Sequence, residues 1–156
     1  MKKQALVLLL GLAASSSYGS EPKWFDRYSG DWVGVERVHA TGQCSFNPNR
    51  SEVKYYVQVA PDGQFSATAY APSGELQTRS TLKGSISPDG KIRFARHTIA
   101  VCNGVAREVS YPGRGTLTNG DSDPAMKLIT KEDMCPNICT FRVERSIRRA
   151  SSSPGS

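Results

Sequence analysis

The residues best suited to chemistry crowd into one short stretch. MCPNIC (134–139) sets the thioether of Met134 beside the thiols of Cys135 and Cys139. Such soft sulfur ligands suit a soft cation, Cu(I) above all. The same two cysteines, with Cys44 and Cys102, make an even set of four. In an oxidising compartment an even set reads first as two disulfides. Other polar clusters fall short. Asp121-x-Asp123, with Glu132 further on, imitates a calcium loop, but Met126 stands where the glycine belongs and Pro124 interrupts the run. GDSD (120–123) lacks the strand-to-helix context of a serine nucleophile. His39 and His97 have no partner motif and read as surface residues. Glu36 shares a strand face with Trp32. A carboxylate aimed inward needs a partner, and Arg145 is the candidate. These residue types point to no enzyme and no cofactor, and disulfide use of the cysteines is preferred to metal binding, with copper at 134–139 kept as an alternative.

The compartment follows from the N-terminus. Lys2 and Lys3 precede the apolar run ALVLLLGLAA (5–14), and Ser17-Tyr18-Gly19 offers a small-x-small cleavage site. Residues 1–20 therefore read as a signal peptide, and no cysteine follows the apolar run to carry a lipid anchor. No later run reaches the ~20 apolar residues of a membrane-spanning helix. The expectation is a periplasmic or secreted protein. About 136 residues remain, enough for one domain over 21–149. The formal charge of +6 loses two lysines with the signal and becomes +4. The basic residues scatter, save Arg145, Arg148 and Arg149, and export argues further against nucleic acid. The tail ASSSPGS (150–156) has the composition of a disordered segment.

Strands separated by turn signals must position these groups. Val53, Tyr55, Val57 and Val59 share one face of 52–59. Pro61-Asp62-Gly63, Pro72-Ser73-Gly74, Pro88-Asp89-Gly90 and Asn103-Gly104 are turns. Strands are expected at 31–39, 52–59, 64–71, 75–86, 91–101, 105–111 (extending towards 118), 125–130 and 140–147. Within 91–101, Ile92 and Phe94 lie on one face but Ile99 and Val101 on the other, which predicts a bulge or bend. About eight strands joined mostly by tight turns predict an all-β fold, an antiparallel up-and-down barrel, with a β-sandwich as the alternative. In such a barrel, parity brings Cys44, Cys102, Cys135 and Cys139 to one rim. The longest connections, 40–51 and 131–139, fall there too. Closure sets the first strand beside the last, which favours Cys44–Cys139 with Cys102–Cys135. Cys135–Cys139 with Cys44–Cys102 is the competing scheme.

FDRYSGDWVG (25–34) resembles the N-terminal signature of lipocalins and their calycin relatives, carried here by Phe25, Asp26, Arg27, Tyr28, Gly30 and Trp32. The resemblance implies that Trp32 packs in a barrel floor beneath an arginine of the last strand, Arg145 or Arg142. MCPNIC in turn is locally similar to the Cys-Pro-x-x-Cys segment of copper-delivery proteins of the Sco type. Three functions are therefore weighed. The first is a small apolar ligand held between Trp32, Tyr55, Phe65, Phe94 and Phe141. The second is an inhibitor or immunity protein that binds a cell-wall hydrolase through rim residues such as Phe46 and Asn137. The third is a copper carrier using 134–139.

Overall fold

The computed structural model describes residues 28–43, 50–70, 73–118, 124–135 and 138–150. Their eight strands are β1 (Gly30–Gly42), β2 (Arg50–Val59), β3 (Gln64–Tyr70), β4 (Leu76–Ile86), β5 (Lys91–Cys102), β6 (Val105–Thr118), β7 (Ala125–Cys135) and β8 (Cys139–Arg149). Each pairs antiparallel with its neighbour in sequence, and β8 pairs with β1 from Trp32↔Arg149 to Gly42↔Cys139. The expected up-and-down barrel is the observed one, and the sandwich falls away because the sheet has no free edge. Among the described residues, no helix is long and apolar enough to cross a membrane.

Local sequence explains most of this. Along β8, Cys139, Phe141, Val143, Arg145 and Ile147 are buried, and the residues between them are not. That is the period-2 pattern of a strand with one face on a core. Gly63 and Gly90 close the β2–β3 and β4–β5 turns at φ 82° and 77°. Asn103 (φ 51°) and Gly104 (φ 76°) both adopt the left-handed conformation that a two-residue hairpin turn demands.

Three expectations change. β5 carries no bulge: its ladder to β6 runs unbroken from Lys91↔Thr116 to Cys102↔Val105. Arg96, Thr98 and Ala100 follow Phe94 on the inner face, and Ile99 and Val101 face out. The switch in hydrophobicity marks the height at which the interior turns polar. The irregularities lie instead between β3 and β4 at Thr68/Ala69 and between β7 and β8 at Asp133/Cys135. The long connection at 131–139 is also much shorter than expected, since 131–135 belong to β7 and pair with β8. Likewise, β1 extends to Gly42, into the segment expected to be a loop.

The core fills the end where β1 begins. Tyr28, Trp32, Val57, Phe65, Leu82, Ile86, Ile92, Phe94, Leu117, Met126, Leu128 and Ile147 form one buried cluster. Each such side chain stabilises by about 1.5–3 kcal/mol. Trp32 donates its Nε1–H to the Tyr28 carbonyl at 2.9 Å, so the indole is buried without an orphaned donor. A smaller cluster of Cys139, Phe141 and Val143, with Val38 and Ala40 against it, lies towards the opposite rim.

Candidate functional site

Between the two clusters runs a chain of alternating charge. The inner-face positions of β1, β5, β7 and β8 carry Glu36, Arg96, Glu132 and Arg145. Arg145 Nε sits 2.8 Å from Glu36 Oε2, and its Nη2 sits 3.2 Å from Glu132 Oε1. Arg145 Nη1 donates to Thr130 Oγ1 at 2.9 Å, and that hydroxyl donates to Glu132 Oε1 at 2.7 Å. Arg96 Nη1 pairs with Glu132 Oε2, and its Nη2 donates to Ser80 Oγ at 3.3 Å. The expected Glu36–Arg145 pair is thus present. Its Nε contact is ionic rather than a hydrogen bond, because the N–H does not point at the carboxylate.

Burial alone would lower the Arg145 pKa. Tyr55, then Glu36 and Glu132, outweigh that cost and hold it above its ordinary value. Tyr111, whose hydroxyl donates to the Asp133 carbonyl at 2.7 Å, is pushed up by burial and then by Glu132 and Asp133. Two members of the belt remain partly open. The Glu36 and Arg96 side chains are 21% and 22% exposed, although both sit on the inner face of the wall. Arg96 Nε is buried with no hydrogen-bond partner among the described residues.

The cysteine rim lies on the other side of this belt from the main core. Cys102, at the end of β5, is bonded to Cys135, at the end of β7, with Cα atoms 5.4 Å apart. This is the favoured pairing, and it excludes both bonds of the competing scheme. No described cysteine is free. Cys44, and with it the expected Cys44–Cys139 bond, lies outside the described residues, as do Phe46 and Asn137. The bond also occupies Cys135 as a disulfide sulfur, so Cys135 offers no thiolate for copper in this state.

The disulfide anchors the β5–β6 hairpin, whose tip stands clear of the barrel. Asn103 to Glu108 are exposed on both faces of the hairpin. Val101 is 54% exposed, Val105 66%, and Ile138, in the β7–β8 turn, 46%. Three apolar side chains therefore face solvent at one rim, with the Cys102–Cys135 bond tying the two turns together.

The five aromatic residues expected to line a pocket are all buried, in two places. Trp32, Tyr55, Phe65 and Phe94 belong to the main core, and Phe141 to the smaller cluster. Phe65 and Phe94 meet edge to face at 6.5 Å. The Phe94 ring lies so close over Gly113 that a β-carbon there would collide with it. Of the two arginines expected above Trp32, Arg145 points inward to Glu36 and Arg142 faces out; Arg149 is the residue directly opposite Trp32.

Arg96 and Val105 were not singled out by sequence reasoning, while Glu132 entered it as the last position of a failed calcium loop and Val101 as a sign of a bend. Glu132 fell in an expected loop, and Arg96 beyond an expected bend. Valines flanking Asn-Gly carry a signal, since such turns are usually flanked by residues that face a core. Comparison with family models, with curated proteins and with solved structures found no match.

Proposed function

We propose that this chain is an exported, non-enzymatic binding protein that engages a protein partner through its disulfide-stapled rim. The observation that carries the reading is the β5–β6 hairpin tip, held by Cys102–Cys135 with Val101 and Val105 in solvent. Exposed apolar side chains on a braced projection favour association, because their burial is favourable and little order is lost on binding. The filled apolar half of the barrel supports this choice over an apolar ligand among Trp32, Tyr55, Phe65 and Phe94. A hydrolase whose cleft admits a hairpin is the partner class this shape suits, which makes the chain an inhibitor or immunity protein. The test is titration of the purified chain into a peptidoglycan-hydrolysis assay with lysozyme-type and amidase-type enzymes. Inhibition that Val101→Asp with Val105→Asp relieves, at unchanged thermal stability, supports the reading. Inhibition that survives both substitutions removes the hairpin from the interface.

A second reading rests on the partly open belt. Glu36 and Arg96 offer a polar floor beneath Val38, Ala40, Phe141 and Val143, which suits a small amphipathic ligand better than a purely apolar one. Displacement of an environment-sensitive fluorescent fatty acid, compared between the native chain and Arg96→Gln, tests it. Binding of the probe with no response to Arg96→Gln counts against the belt as a floor.

A further inference from the structure

The outer wall of β6, β7, β8 and β1 carries a concave groove of about 610 Å³ that neither reading uses. Its sides are cationic by register. Lys131 on β7 stands directly opposite Arg142 on β8, and Arg142 directly opposite His39 on β1. Arg114 on β6 lines the same groove and stands directly opposite Arg93 on β5. Neighbouring strands are about 5 Å apart, so Lys131, Arg142 and His39 form one row of closely spaced donors, and Arg93 with Arg114, which stands opposite Ile129, forms a second row offset by two residues. Like charges directly opposite one another oppose sheet formation. All five side chains are exposed. The outward carboxylates beside them are Glu144, 2.9 Å from Arg142 Nε, and Asp133, two residues from Lys131 on the same face of β7. Among the described residues, Arg93, Arg114 and Lys131 make no ion pair. The floor between them is apolar, from Ile129 and Pro112.

From this juxtaposition we infer that the groove is a docking site for an extended acidic polypeptide segment with apolar residues among its carboxylates. Charge complementarity selects a polyanion. No Phe, Tyr or Trp side chain lines the groove, so the His39 ring is the one aromatic face it offers a base. The Ile129 and Pro112 floor gives apolar side chains a seat that an acidic glycan would leave unused. This inference stands apart from the hairpin reading, since the two use different residues.

The test uses the full chain and a labelled short peptide of Asp and Glu with interspersed Leu, followed by fluorescence anisotropy. Binding should weaken as salt rises. It should fall about tenfold or more for Arg114→Glu with Lys131→Glu, and for a peptide with Gln and Asn in place of its acids. Lys131→Arg should retain it, and Val105→Asp should leave it unchanged. Circular dichroism of each variant separates lost binding from lost fold, with Arg114→Gln and Lys131→Gln replacing any reversal that unfolds. The inference is overturned if charge reversal leaves peptide affinity intact, if Val105→Asp abolishes it, or if heparin or phosphatidylglycerol vesicles bind as tightly as the peptide.

Discussion

Arg145 shows how much one side chain can decide. It is fully buried, yet its guanidinium meets Glu36, Glu132 and Thr130. A buried ion pair adds little net stability over a well-packed apolar pair, because desolvation offsets the attraction. Removing one partner is another matter, since it strands a charge. Arg145→Ala should cost about 3–5 kcal/mol in urea unfolding. A loss below about 1 kcal/mol would mean that water reaches Glu132 and Glu36 freely. Asp89 offers a milder case at the surface. Its hydrogen bond from Lys91, then that from Ser87, lower its carboxyl pKa to about 2. The folded value lies below the unfolded one, so the small stabilisation is present above the ordinary carboxylate range and fades as pH falls towards 2. Both side chains are exposed, which keeps the effect small. An NMR titration should find the Asp89 midpoint near 2, and Lys91→Ala should move it upward.

At the scale of elements, the hairpin and its staple matter most. Cys102 and Cys135 are 33 residues apart in sequence. Closing a loop of that length stabilises by about 4 kcal/mol in the chain-entropy model. Cys102→Ser with Cys135→Ser should lower the unfolding free energy by up to that amount. Faster amide exchange across Val101–Ala106 than in the rest of β5 and β6 should accompany the loss. Unchanged exchange there would show that the barrel alone holds the hairpin. The strand alternation that made β2 and β8 readable failed at β5 for a definite reason. Apolar periodicity reports which face is buried only while the interior is apolar. At Arg96 it turns polar, and the inner face continues through Arg96, Thr98 and Ala100.

At the scale of the whole molecule, closure is the organising event. β1 and β8 come from opposite ends of the described chain, yet they share a long ladder. Ala150 N–H donates to the Asp31 carbonyl at 2.8 Å, so the two ends of the barrel chain lie side by side. A circular permutant linking these ends and opened at Pro61–Gly63 should therefore fold to the same barrel and unfold cooperatively. A permutant that is soluble but lacks a cooperative transition would show that closure depends on the β2–β3 turn. Such nonlocal pairing also predicts refolding on the millisecond-to-second scale, because loops close before contacts form.

Much of this architecture was written locally. Alternation in 52–59 and 140–147, the Pro-Asp-Gly and Asn-Gly turns, and the spacing of the cysteines determined eight antiparallel strands and brought Cys102, Cys135 and Cys139 to one rim. Glu36 and Arg145 were also legible as a pair, since closure of an eight-stranded barrel makes their strands neighbours. Those features depend on periods of two residues and on turn chemistry, which short stretches of chain contain. The exposed hairpin valines, the inclusion of Arg96 and Glu132 in the buried belt, and the row Lys131–Arg142–His39 were decided only by the tertiary structure. Each depends on the register between strands distant in sequence, or on how far a hairpin outreaches its neighbours. Register is set by the packing of the whole interior, so no local stretch of the chain contains it.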